Sequence, residues 1–316
     1  MKRKAITVVI ITLFLASMLS MANVVPAAAS PAPGLVGLWH FDTVDTTVSP
    51  YTTRDSSGQG NIGYLYPVGS EPTLTDGKFG KALSFDGGED YVEVADADSL
   101  DMTDQLTIEA WIFSNVVDSC ISIVVKGDAQ TEGKINYGLQ IYGFQTPGTL
   151  RFFIYAKEKW YYNVDSTGRV SAGSWHHVAV TRDTDGNVNF YIDGSPAGTG
   201  KSGLGPVSSS PLNIGRHKHA TGGPCEYFDG IIDEVRIWNR ALSADEIKSS
   251  IMIESYLTLD STTGTWKGNL NTTALPDGAN TVNVTATDKA GNVGSISVTF
   301  TVDNTPPSVY IANPAA

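Results

Sequence analysis

The sequence predicts an all-β fold: an antiparallel two-sheet sandwich followed by a second, partial sandwich. Three observations lead there. Apolar and polar residues alternate over short runs, Gly, Asp, Asn and Pro bound those runs, and sustained helical periodicity is missing almost everywhere. At 316 residues, the chain has room for one large or two ordinary domains once its N-terminal segment is set aside.

That segment has three parts. Lys2, Arg3 and Lys4 precede an uncharged apolar run from Ala5 to Leu19, and small residues end at Ala27, Ala28 and Ala29. This is the order of a secretory signal peptide, residues 1–29, cut after Ala29. The alternative is a membrane anchor, but about fifteen apolar residues fall short of the ~20 a spanning helix needs. No later segment is apolar enough to span a bilayer, so a secreted or cell-surface protein is expected. Cleavage removes three positive charges and no acid, which moves the formal net charge from −12 to −15. A chain this acidic, with no Lys/Arg stripe, is a poor partner for nucleic acid.

Strands follow in order. The clearest alternating runs are Leu106–Ile112, Tyr137–Ile141, Leu150–Tyr155, His177–Thr181 and Val188–Ile192. The last two read as a hairpin closed by Asp183–Asn187, with Gly186 and Asn187 supplying positive φ. A single helix is signalled near residue 245. Ser243 with Glu246 makes a capping box, and Leu242 and Ile247 are placed for a hydrophobic staple.

Several segments carry a family resemblance. They are Gly37–Asp42, Asp55–Asn61, Gly77–Gly87, Asp90–Val94, Trp175–Ala179, Phe190–Gly194, Leu212–Gly215 and Phe228–Ser243. In that order and spacing they resemble a laminin-G-like, concanavalin A-type jelly roll over residues 34–250. The resemblance implies two packed antiparallel sheets, one of them concave. Independently, Trp39, Phe85, Trp111, Trp175 and Trp238 fall on the apolar phase of strands, where aromatics fill a sandwich core.

The tail, residues 254–305, is rich in Thr, Asn and Val, with alternation at Thr281–Ala286 and Ile296–Val302. Leu275–Gly278, Ala286–Asn292 and Val302–Pro307 resemble bacterial and archaeal immunoglobulin-like surface repeats, but only their second half. A whole repeat takes about 100 residues and seven strands. The tail is therefore expected to be a truncated immunoglobulin-like repeat, with 306–316 a linker or the start of another. A half-sandwich leaves an apolar face and open edges, so it must pack on the jelly roll, pair with another chain or stay partly unfolded. Asn271 and Asn283 head glycosylation sequons there.

Cys120 and Cys225 are the two cysteines. Export permits a disulfide between them, and closing a loop of that length is worth about 4–5 kcal/mol in chain-entropy terms. A buried free pair is the other reading. Zinc on His217, His219 and a single cysteine is weakly signalled by that spacing.

Calcium is the cofactor the resemblance implies. It assigns the acids to Asp42, after Trp39 and Phe41, and Asp233, before Glu234-Val-Arg, with Asp86 and Asp90 less firmly placed. Calcium takes six to eight oxygens in flexible geometry, which loop carboxylates and Gly-rich carbonyls supply. The alternative is that Asp42 and Asp233 cap strand ends or pair with Arg236 and Arg240.

Catalysis has no matching pattern. Glucanases of this fold hold two carboxylates on one strand, about 5–5.5 Å apart for retaining hydrolysis, and the acids of Glu89–Glu93 sit at the wrong offsets. A Gly-x-Ser-x-Gly elbow is also missing. The chain reads as a non-enzyme. One segment favours binding: Trp160, Tyr161, Tyr162 and Asn163 follow Lys157–Lys159, and aromatics beside polar groups suit sugar stacking. Packing at a sheet edge is the competing explanation. His217 is read as lining the same surface. The expected role is recognition or adhesion, with a glycan or cell-surface polymer as partner and other surface proteins as further candidates. A structural spacer of a surface layer is the alternative.

Overall fold

The computed structural model describes residues 33–157, 160–203, 205–217 and 227–252, and the strands 258–260, 265–267, 278–287 and 293–302. The signal segment, Cys225, His219 and Asn271 lie outside the described residues. Two compact units divide the chain, one of them spanning Pro31–Ile251.

That unit is a sandwich of two antiparallel sheets. The chain enters through β1 (Leu35–Trp39), β2 (Thr52–Thr53), β3 (Gly63–Tyr66), β4 (Thr73–Asp76), β5 (Lys81–Asp86) and β6 (Tyr91–Val94). It continues through β7 (Leu106–Ser114), β8 (Cys120–Asp128), β9 (Lys134–Tyr142), β10 (Thr149–Ala156) and β11 (Trp160–Arg169). Last come β12 (Trp175–Arg182), β13 (Asn187–Ile192), β14 (Ser195–Lys201), β15 (Leu212–Ile214) and β16 (Asp229–Trp238). The first sheet runs β14-β13-β12-β7-β16-β5-β4, with β1 also paired to β16. The second runs β11-β10-β9-β8-β15-β6-β3-β2.

Alternation decides the faces. Ile108, Ala110 and Ile112 of β7 enter the core, and so do Val178 and Val180 of β12 and Leu139 and Ile141 of β9. The largest core side chains include Trp39, Phe41, Phe85, Phe152, Phe190 and Phe228, all buried, each worth about 2–3 kcal/mol relative to exposure. Trp111 is buried but does not fill the core as expected: it alternates with Ala110 and Ile112 and so lies on the outer face of the first sheet, as do the half-buried Trp175 and Trp238.

Polar motifs tie the loops. Asp55 accepts hydrogen bonds from the N–H groups of Leu38 (3.0 Å), Ser57 (2.8 Å) and Asn61 (2.9 Å), and the Trp39 indole donates to the Asn61 carbonyl at 2.8 Å. The β12–β13 hairpin forms as expected, with Arg182 opposite Val188. Its turn differs in one respect: Gly186 is left-handed (φ 77°), whereas Asn187 is not. Asn187 instead donates its backbone N–H (2.8 Å) and side-chain N–H (2.7 Å) to Asp183, which closes the turn without a strained residue.

The helix α1 (Ala244–Met252) is capped as its sequence requires. Ser243 N–H donates to Glu246 Oε2 at 2.8 Å, and Glu246 N–H donates to Ser243 Oγ at 3.3 Å. Leu242 and Ile247 pack with Ala179, Tyr191 and Trp238 on the outer face of the first sheet. Glu109, buried beneath, accepts from Trp238 Nε1 (2.8 Å) and Ser250 Oγ (2.6 Å).

In the second unit, β17 (Thr258–Asp260) pairs with β18 (Thr265–Lys267), and β19 (Gly278–Thr287) pairs with β20 (Val293–Val302). Both hairpins are antiparallel, and Asn283 lies in β19 opposite Ser297.

Candidate functional site

Asp42 and Asp233 meet at one turn. The β4–β5 hairpin pairs Asp76 with Lys81, leaving Gly77–Gly80 as its tip. Lys81 N–H donates to Asp42 Oδ1 at 2.8 Å, and Phe79 N–H donates to Asp233 Oδ2 at 3.0 Å. Two glycines permit this approach. A Cβ on Gly80 would lie 2.0 Å from Asp42 Oδ1, and one on Gly77 would lie 2.6 Å from Asp233 Oδ2. Gly80 is also left-handed, at φ 52°.

The backbone is strained beside both acids. Phe41, just before Asp42, has φ 58°, and Glu234, just after Asp233, has φ 50°. Left-handed non-Gly residues cost about 1–3 kcal/mol each and gather at functional sites. The β16 register breaks between Asp233 and Arg236, a bulge that re-aims the Asp233 side chain. Glu234 is held by His40 Nδ1 at 2.7 Å and Arg236 at 2.9 Å. Asp233 is fully buried, and its Oδ1 has no hydrogen-bond partner. Burial, then the nearby Glu234 charge, pushes its carboxyl up to about 7. The Phe79 ring meets Trp111 edge-on at 5.8 Å, and the Lys78 ammonium sits 4.4 Å above that indole.

Asp86 and Asp90 lie elsewhere. Asp86 ends β5, five residues beyond Lys81, a separation of about 17 Å along a strand. Its Oδ1 accepts from Gly88 N–H at 2.7 Å, and Asp90 Oδ2 accepts from Asp86 N–H at 3.2 Å. Asp90 is 6% exposed, and burial, followed by the Asp86 charge, raises its carboxyl to about 6. Both line a cavity of about 570 Å³ together with Tyr51, Glu71 and Leu74. The four acids grouped by the resemblance thus fall into two pairs. Among the described residues, no three His, Cys, Asp or Glu side chains gather closely enough to hold a metal ion.

The aromatic segment forms β11, an edge strand of the second sheet. Tyr162 sits opposite Ile154, is 43% exposed, and has its ring beside Gly203. Asn163 is exposed opposite Phe153. Because neighbouring strand residues face opposite ways, Tyr162 and Asn163 do not share a face. His217 is buried, with its ring 5.1 Å from that of Phe153, so it goes with the Asn163 face. Trp160 pairs with Ala156, and its side chain lies outside the described part. Cys120 opens β8 and is buried.

Sequence reasoning passed over Tyr51 and the Glu71–Leu74 stretch, which reach the cavity from two separate segments and share no local motif. It also passed over a serine–histidine–aspartate relay. His176 Nε2 lies 2.8 Å from Ser171 Oγ and accepts from Ser171 N–H at 3.1 Å, while Nδ1 lies 2.8 Å from Asp193. The Ser171 N–H, which an acyl-transfer site would aim at substrate, is spent on the imidazole. The relay therefore ties the β11–β12 turn to the end of β13.

Comparison with known proteins gives two family matches. The model described as concanavalin A-like lectin/glucanases superfamily matches residues 86–248, and the bacterial Ig-like domain matches residues 236–304. The rat protein "Sushi, von Willebrand factor type A, EGF and pentraxin domain-containing protein 1" is 34% identical over 104 residues, 31% of this chain and 3% of its own length. Human neuronal pentraxin-2 is 36% identical over 86 residues, 25% of this chain and 20% of its own. The chain therefore spans a small part of these relatives. Domain 4 of AbnA, a GH43 extracellular arabinanase from Geobacillus stearothermophilus solved with arabinotriose, superposes with TM-score 0.51 at 20% identity, over 67% of this chain and 96% of that one. The binding domain of Paraclostridial Mosquitocidal Protein 1 gives TM-score 0.54 at 15% identity, over 72% and 54%. At these identities the superpositions speak to the fold.

Proposed function

The chain belongs to the concanavalin A-like lectin/glucanase superfamily, and on that premise we propose that it is an exported, non-catalytic recognition module whose ligand is a glycan at a cell surface. The observation that carries this reading is Tyr162, a tyrosine 43% exposed on the edge strand β11. That exposure leaves room for a sugar ring to stack on the phenol. A fold neighbour crystallised with arabinotriose supports the same reading. The immunoglobulin-like match at residues 236–304 favours a second reading, a spacer or assembly module of a surface layer.

Calcium belongs to this reading as a structural ion, held by Asp42, Asp233 and carbonyl oxygens of the Gly77–Lys81 turn. The residues fit: Asp233 Oδ1 is buried and lacks a donor, and two carboxylates with Gly-rich carbonyls suit a hard, flexible cation. A bound ion would supply the positive charge that a buried Asp233 carboxylate lacks, fixing β1, β16 and the turn together. A Cys120–Cys225 disulfide is the other tie, and it accords with there being no free cysteine among the described residues.

The test is a glycan array screened with the full-length chain and with the Trp160→Ala/Tyr162→Ala double variant. The expected result is binding that drops about tenfold or more in a variant that keeps its near-ultraviolet circular dichroism, on the scale of one lost stacking contact and its bonds. A folded wild type that binds no glycan would shift the account to the spacer reading.

A further inference from the structure

The cavity beside Asp86 and Asp90 has no place in the calcium turn or the β11 edge, yet it has the size of a ligand site. At about 570 Å³ it lies within the roughly 300–1,000 Å³ typical of small-molecule pockets. Its apolar walls include Tyr51, Pro72 and Leu74, the last of them 47% exposed. Its charged groups are Glu71, Asp86 and Asp90, and no Lys, Arg or His lines it.

Asp90 is the telling side chain. It is more than nine-tenths buried, and its one hydrogen bond is the 3.2 Å contact from Asp86 N–H to Oδ2. Asp90 is one of the residues lining the cavity, and Oδ1 accepts no hydrogen bond from the protein. The charges that act on it, from Asp86, Glu89 and Glu71, are all negative. A buried carboxylate among like charges is costly unless a cation joins it. Unlike the Gly77–Lys81 turn, where glycine-rich carbonyls lie beside two acids, this cavity is lined by apolar side chains as well as acids, which suits a bare metal ion poorly. The carboxylates instead ring a space with an apolar wall, which suits an organic cation with a C–H face.

We infer that this cavity binds the protonated amine of a 2-amino-2-deoxy sugar unit, with the ring against Tyr51 and Leu74 and the ammonium among Glu71, Asp86 and Asp90. The inference rests on the glycan-binding reading and deepens it by naming a sugar class and a second face. N-Acetylation of the sugar removes the positive charge and adds bulk, so the cavity discriminates against the acetylated form.

The experiment is calorimetric titration of the full-length chain with a glucosamine tetramer, its N-acetylated counterpart and n-butylamine. The glucosamine tetramer is expected to bind, with the acetylated tetramer and n-butylamine each about tenfold or more weaker, the scale of one charge-assisted bond or one stacking contact. Asp86→Asn/Asp90→Asn is expected to weaken glucosamine binding about tenfold or more, and Glu71→Gln severalfold. Should the double variant misfold, Glu71→Gln decides. Equal affinity for both tetramers, equal affinity for n-butylamine, or indifference to these substitutions overturns the inference. If neither tetramer binds while the array returns another glycan, the inference falls and the glycan reading stands. If array and titration are both blank, both fall.

Discussion

Asp90 and Asp233 are acids kept where acids are expensive, and burial is the first cause of the raised pKa at each. For Asp90 the consequence for stability has a definite sign. Its folded value, about 6, lies above the ordinary 3.8, so its contribution is fully favourable below about pH 4 and is lost as pH rises through 6. Asp90→Asn removes that dependence. It is expected to be more stable than wild type at pH 8 by about 1 kcal/mol, after allowance for solvent reaching the cavity, and equal at pH 4. Urea unfolding at the two pH values checks this, and a destabilised variant at pH 8 would contradict it. Asp42 and Asp233 were legible in the sequence because each sits inside a motif, Trp-His-Phe-Asp and Asp-Glu-Val-Arg. The grouping of Asp86 and Asp90 with them was not, since it depends on which end of β5 each acid reaches.

At the scale of elements, local chemistry was readable and facing was not. The α1 capping box and its staple follow from four residues and formed as read. The β11 segment shows the limit: Trp160, Tyr162, Asn163 and His217 read as one surface, but alternation turns Asn163 toward the Phe153 and His217 face and Tyr162 away from it. The β4–β5 turn is the element on which the calcium reading stands. Gly80 is left-handed there and has no room for a Cβ beside Asp42. Gly80→Ala is therefore expected to cost more than about 1 kcal/mol. It should also abolish the gap in melting temperature between calcium and EDTA. That gap in wild type should be roughly 5–10 °C, given about 2–4 kcal/mol from a saturating ion. A variant melting like wild type in both buffers would contradict this account of the turn.

At the scale of the molecule, alternating runs and turn residues announced two antiparallel sheets. The strand order did not show itself in any run, because neighbours such as β7 and β16 are more than a hundred residues apart and meet only in the folded sheet. The cavity was illegible for the same reason. Its walls come from the β1–β2 segment, the β3–β4 connection running into β4, and β5 with the turn that follows it. Recognition and catalysis share this architecture, so the fold alone does not separate them. The most direct measurement is saturation-transfer NMR of the full-length chain on the best array glycan, with new reducing ends counted in the same tube over a day. The account predicts transfer to the sugar ring protons and an unchanged reducing-end count. No transfer from a folded chain, or a rising count of reducing ends, would contradict it.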